Sequence, residues 1–339
     1  MEIYGTIGPS CGSRETLTEM FRAGMTGIRL NLSHVTLAES REIIEEYHAA
    51  AAAAGITAPD LLVDMQGPEL RIGRLAEPLV LEEGERIRFA DAIPVPPQVL
   101  ALIKPGQQIL LDDGKILLSV TGKETARVLR GGRLMSRKSL AVTDPEAPEK
   151  STSELLPGLR LPAVTAADRE NLRLAVSMGV TGVMQPFVRG AEDLRELRRA
   201  MEEAGAGALR IFAKIENRAG AAHLEELIPE ADVIVIARGD LGNAFPLWEL
   251  PGVQKDIAAA CRRAGRPFLV VTQMLSSMEE KPVPTRAEVS DIFNAVLDGA
   301  DAVMITGESA VGKYPAEAIG YLAKTAESAR QYRIRADRA

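Results

Sequence analysis

The chain has 339 residues, 46% hydrophobic and 26% charged, with 40 Lys+Arg against 47 Asp+Glu and a formal net charge of -7. This is the composition of a globular chain able to bury a large core, and an acidic balance without a basic stripe argues against a nucleic-acid partner. Two cysteines, Cys11 and Cys261, and three histidines, His34, His48 and His223, have neither disulfide-framework nor zinc-ligand spacing, and neither a leader pattern nor a membrane-length apolar run is present, so a cytoplasmic setting is expected.

Apolar periodicity alternates between short strand-like runs and amphipathic helices. Residues 3–7 predict a strand and 14–23 a helix. The pattern repeats with a strand at 27–31, a helix at 38–54 and a strand at 61–65. From 72 to 149 the character changes to short alternating strands with glycine turns, bounded by PVPP (94–97) and DPEAPEK (144–150), which predicts a small antiparallel domain. The strand–helix alternation then resumes. Helices are predicted at 166–178, 191–204, 219–228, 253–264 and 286–297, leading to strands at 182–187, 209–215, 232–237, 267–272 and 301–305. A last helix begins near Pro315, a favourable first-turn proline.

Eight strand–helix units less an insert leave about 260 residues, close to the usual length of a (β/α)8 barrel. The predicted fold is therefore α/β: a TIM barrel formed by 1–71 and 151–339, with a small β-barrel-like lid domain, 72–150, inserted after strand three. An open doubly wound sheet is the competing architecture, but eight regular units favour closure.

In such a barrel the chemistry sits at the C-terminal ends of the strands. Strand two ends in Arg29 and Asn31, followed by Ser33 and His34. Strand three ends in Asp64 and Met65, with Glu69 and Arg71 beyond. Lys214 and Glu216 close strand five, Arg238, Gly239 and Asp240 follow strand six, Thr272 and Gln273 end strand seven, and Glu308 follows strand eight. Any one of these taken alone is as readily a cap or loop residue. Lys214 and Glu216 are different, because residues two apart share a face of a strand, and inward charges are costly unless paired or metal-bound. Glu216 and Asp240, on adjacent strands, make a hard oxygen donor pair suited to Mg2+. Gly239 and Gly242 flank Asp240 and would open backbone N–H groups to a phosphate. The arginines at 330, 333, 335 and 338 read as a helix end complementing its dipole.

The segments TIGPS (6–10), RLNLSH (29–34), GPELR (67–71), LDDG (111–114), LPAVTAAD (161–168), FVRGAEDL (187–194), AKIEN (213–217), ARGDLG (237–242), VTQMLSSM (271–278) and PTRAEVSD (284–291) resemble, in order, those of the pyruvate kinase family. The resemblance covers nearly the whole chain and is weakest in the insert. It implies transfer of a phosphoryl group from phosphoenolpyruvate to ADP, giving pyruvate and ATP. Glu216 and Asp240 would hold Mg2+ (or Mn2+). Asn31, Ser33, Asp64 and the carbonyl of Met65 would bind K+, and Glu69 matches the K+-requiring variant. Lys214 would stabilise the group in flight, with Arg29 beside it, and Thr272 would lie near the carbon that is protonated. Gly239 joins Lys214, Asp240 and Thr272 in binding substrate. Arg29, His34, Arg71 and Lys138 would address phosphate or nucleotide. A homo-oligomer, such as the dimer the family forms through barrel helices six and seven, is expected.

Several positions depart from the family pattern. The match ends near the close of the barrel, which implies absence of the family's C-terminal regulatory domain. The D-T-K-G-P-E motif reads Asp64-Met65-Gln66-Gly67-Pro68-Glu69, so an ammonium is lost at Gln66. Val35 replaces a glycine, Pro186 replaces the serine of S-F-V-R, and Ser136-Arg137-Lys138-Ser139 is the nearest counterpart of the lid's lysine motif. These changes gather on the nucleotide and lid side. They keep two alternatives open: a metal-dependent oxo-acid decarboxylase or lyase, and a catalytically weak homologue with a binding role.

Overall fold

The structure is a computed structural model that describes residues 1–33, 35–112, 114–147, 150, 152–156, 158–159 and 161–336. Eight parallel strands close into a barrel: β1 (Glu2–Thr6), β2 (Gly27–Asn31) and β3 (Asp60–Asp64), then, after the insert, β11 (Gly182–Gln185), β12 (Arg210–Ile215), β13 (Val233–Ala237), β14 (Phe268–Val271) and β15 (Ala302–Met304). The last strand returns to the first, with Glu2 opposite Ala302 and Tyr4 opposite Met304. The expected closed α/β barrel is thus present, and the open sheet is not.

Burial explains why these runs form strands. β13 is buried at every position, as parallel strands covered on both faces must be. Alternate side chains fill the interior, among them Tyr4, Leu62, Met184, Phe212, Val235 and Leu269. At the N-terminal end the Tyr4 hydroxyl donates to Glu2 (2.5 Å) and Asp60 (2.8 Å), and Arg210 pairs with Asp60 at 2.7 Å. That end carries a satisfied polar network, of the kind that reads as stability in this fold.

The chain divides into two compact units. One comprises Met1–Gly67, Ala163–Gly242 and Pro246–Ala339; the other comprises Pro68–Pro162 with Asn243–Phe245. The smaller unit contains strands β4 (Leu79–Leu81), β5 (Arg86–Arg88), β6 (Gln108–Leu111), β7 (Ile116–Gly122), β8 (Thr125–Arg130), β9 (Gly132–Leu134) and β10 (Leu140–Thr143). They form a five-stranded sheet in the order β10-β6-β7-β8-β5 and a two-stranded β4-β9 pair. Alternation supplies its core, with Ile109, Leu111, Leu118 and Val120 at 0–1% exposure.

Of the predicted strands that end early, the two that run through left-handed residues share one physical reason. Residues 182–187 were expected as a strand, but β11 stops at Gln185 because Phe187 has φ 52°. Residues 267–272 likewise stop at Val271, because Thr272 and Gln273 have φ 79° and 55°. An extended ladder does not accommodate left-handed residues, and such conformations in bulky side chains mark sites where the surroundings impose them.

Candidate active site

At the C-terminal end of β3 the side chain of Asp64 is 2% exposed. Arg29, on the adjacent strand β2, donates from Nε at 2.8 Å and places Nη2 at 2.6 Å from the same carboxylate oxygen. Lys214 of β12 reaches Asp64 at 3.0 Å and Glu216 at 2.9 Å. The second oxygen of Glu216 accepts the backbone N–H of Phe187 at 2.8 Å. The left-handed Phe187 therefore aims its N–H at a carboxylate that the strand register delivers. Two largely buried cations and two buried anions alternate in one chain, Arg29–Asp64–Lys214–Glu216.

Each charge depends on the others. Burial alone would raise the Asp64 carboxyl, but the charges of Lys214 and Arg29 outweigh it and hold the group below the usual carboxylate range. Burial alone would lower Lys214; Asp64 and Glu216, opposed by Arg29, hold its ammonium above the ordinary lysine value. The site therefore keeps a protonated lysine in a dry environment, where a cation acts on developing negative charge far more strongly than in water.

Asn31 and Asp64 are register partners across β2 and β3. The Asn31 side-chain oxygen accepts the Ser33 N–H at 3.1 Å, and the Asp64 carbonyl accepts the Leu32 N–H at 2.9 Å. The following turn is pinned by Asp168, which is fully buried: its carboxylate accepts the N–H groups of Gln66 (2.8 Å) and Gly67 (3.1 Å) while capping the helix Ala166–Ala175 through Thr165. Gln66 turns back to donate to the Leu32 carbonyl at 3.0 Å. Gly67 sits at φ 58°, where a Cβ would meet Pro186 at 2.5 Å, so a side chain is excluded twice over.

Asp240 lies in the first turn of the helix Arg238–Ala244, which starts on the residue after β13. Gly239 faces Thr272, whose methyl would lie 3.1 Å from an added Cβ. The left-handed Thr272 is clamped by Arg238, which donates to its carbonyl at 2.7 and 3.1 Å and pairs with Asp291 at 2.6 Å. Glu308, 1% exposed, accepts the N–H groups of Leu275 (2.9 Å) and Thr306 (2.8 Å), tying the ends of β14 and β15 together.

This arrangement can be set beside known proteins. A family model described as "Pyruvate kinase, barrel domain" matches residues 1–319. The chain belongs to the pyruvate kinase family. It is 38% identical to a pyruvate kinase of Methylorubrum extorquens over 96% of this chain and 68% of that protein. It is also 38% identical to one of Aeropyrum pernix, over 97% and 70%, and 37% identical to one of Geobacillus stearothermophilus, over 94% and 55%. The protein is thus a pyruvate kinase-like phosphotransferase.

Of the residues singled out in the sequence of this pyruvate kinase homologue, Arg29, Asp64, Lys214 and Glu216 meet in one ion-paired cluster. Asn31, Ser33 and Met65 flank it on the same two strand ends, with the Met65 N–H bound to the Met184 carbonyl at 3.1 Å. Thr272 and Gly239 face each other. Arg71 and Lys138 belong to the smaller unit. There Arg71 pairs with Glu69 at 2.5 Å and donates to the Arg137 carbonyl at 2.8 Å, while Lys138 pairs with Asp112 at 2.7 Å. His34 lies outside the described residues. Gly239 and Asp240 lie in the first turn of the short helix Arg238–Ala244. Among the described residues no group of three or more His, Cys, Asp or Glu side chains is arranged to hold a metal ion, and no helix is long and apolar enough to cross a membrane.

Sequence reasoning missed three supports: Asp168, Arg238 as a clamp, and Glu308 as a tie. Only the Thr165-to-Asp168 spacing, a capping-box pattern, carried any local signal. The Gln66 and Gly67 N–H groups that Asp168 also accepts come from residues about a hundred positions away, which no local pattern encodes.

Proposed function

We propose that this protein transfers the phosphoryl group of phosphoenolpyruvate to ADP. The bond between phosphorus and the enol oxygen breaks, a new one forms to a terminal ADP oxygen, and the enolate left behind takes one proton on carbon to give pyruvate. Lys214 carries the reading: a largely buried ammonium, held charged between Asp64 and Glu216, would stabilise the oxygens of a group in flight. Arg29 shares the work of charge stabilisation, and Thr272, with Gly239 against it, lines the place where the carbon is protonated.

The donor chemistry fits a divalent ion. Arg29 and Lys214 balance Asp64 and Glu216, and Asp240 adds a further carboxylate at the end of the neighbouring strand. Glu216 and Asp240 would hold Mg2+ or Mn2+, which supplies Lewis-acid charge to the substrate oxygens when bound. Two protein carboxylates suffice for an ion that keeps waters and takes ligands from substrate. Asn31, Ser33, Asp64 and the Met65 carbonyl, all hard oxygens, would hold K+. We assign Arg71 and Lys138 of the smaller unit to the nucleotide phosphates. The same reading carries a cytoplasmic setting and a homo-oligomer.

The test is ADP-dependent formation of pyruvate from phosphoenolpyruvate by the folded chain, with Mg2+ and K+ supplied. Turnover that needs both ions and fails in Lys214→Met supports the assignment. Pyruvate released from oxaloacetate without nucleotide, and none from phosphoenolpyruvate, would replace it with the lyase reading.

A further inference from the structure

The five-stranded sheet of the smaller unit carries a feature that phosphotransfer does not use. One row of residues crosses all five strands in register: Arg86 of β5 stands opposite Arg127 of β8, Arg127 opposite Ser119 of β7, Ser119 opposite Gln108 of β6, and Gln108 opposite Thr143 of β10. Their neighbours Ile87, Ala126, Val120, Ile109 and Val142 are buried in the core. By the period of two, the polar row lies on the other face. Arg86 and Arg127 are exposed, and the remaining three are half-buried.

The two arginines are placed as close as a sheet allows. Val128 donates to the Glu85 carbonyl and Phe89 to the Glu124 carbonyl, each at 2.9 Å, which marks 85/128 and 89/124 as hydrogen-bonded pairs. Counting inward, 86/127 is a non-hydrogen-bonded pair, the class in which opposed side chains approach most closely. Like charges directly opposite are destabilising. Other arginines of the sheet find partners: Arg88 approaches Asp91 at 3.5 Å and Glu124 at 3.6 Å, and Arg130 donates to the Gly114 and Lys115 carbonyls. Among the described residues Arg86 and Arg127 make no ion pair.

We propose that Arg86 and Arg127, with the Ser119 hydroxyl beside them, form a binding site for a phosphate dianion, either free or as the monoester group of a small molecule. Two guanidinium forks and one hydroxyl offer donors matched to a tetrahedral oxyanion, and the bound charge removes the repulsion of the empty pair. A nucleic-acid strand is not the ligand, because the row presents no aromatic ring on which a base would stack.

Hydrogen exchange of the full chain tests this, read at amides 85–88 and 124–130, with inorganic phosphate or glycerol 3-phosphate replacing chloride at constant ionic strength. With the anion at about ten times its Kd, exchange through opening of this edge should slow about tenfold. The double variant Arg86→Ser, Arg127→Ser should lose that response and, without phosphate, exchange more slowly than the parent. Protection by either probe supports the site, and the more effective one identifies its ligand. A flat response in the parent overturns the proposal, as does an equal response in the double variant. A flat response together with self-association of the variant would mean instead that the pair only guards an edge strand.

Discussion

The barrel's strand ends and the five-stranded sheet of the smaller unit handle charge differently. In the barrel, Asp64, Lys214 and Glu216 have side chains 2%, 12% and 2% exposed and satisfy one another. In the smaller unit the core is apolar, and cations such as Arg86 and Arg127 face solvent without ion-pair partners among the described residues. Buried charges constrain their neighbours, because removing one strands the rest; exposed charges constrain little. The difference accounts for the uneven family resemblance, which is specific at the barrel's strand ends and faint in the insert.

The largest test of this contrast is Asp64→Ala. It leaves two largely buried cations without their shared anion and should cost about 3–5 kcal/mol of stability in urea unfolding. The pH dependence has a definite sign. The folded Asp64 carboxyl lies below its unfolded value, so its contribution is present above about pH 4 and is lost as the pH falls through the folded value. The stability curve of the variant should therefore be flatter than that of the parent in acid. An unchanged midpoint would mean the cluster is not energetically coupled.

Next is Lys214→Met, expected to lower kcat by about 10²–10³ with secondary structure retained, the effect of deleting one preorganised transition-state donor. A loss of folding by circular dichroism would move Lys214 from chemistry to structure. Thr165→Ala removes a capping box and should cost about 1 kcal/mol. Because Asp168 also pins the 66–67 turn, hydrogen exchange at Gln66 and Gly67 should quicken as well. The smallest change is Ile109→Val in the core of the smaller unit, worth about 0.5–1.5 kcal/mol. Exchange should rise at β6 and β7 but not in the barrel strands; equal acceleration in both would show that the two units unfold together.

Much of the barrel was legible because its information is local and periodic. Eight apolar runs separated by amphipathic segments announced the strands, and Lys214 and Glu216, two apart in an apolar run, announced a buried charge pair. The ends of β11 and β14 were not legible. Phe187 and Thr272 look like good strand residues, and their left-handed conformations are imposed by contacts from elsewhere, as when Arg238 grips the Thr272 carbonyl.

By itself, then, the sequence determined the alternation of elements and the residue types gathered at the strand ends, because side-chain periodicity and turn chemistry act over a few residues. Only the tertiary structure decided that Asp64 would be shared by Arg29 and Lys214, that Asp168 would hold a turn about a hundred residues away, and that Arg86 would face Arg127. Those pairings are set by barrel closure and strand register, which are properties of the whole chain packed against itself.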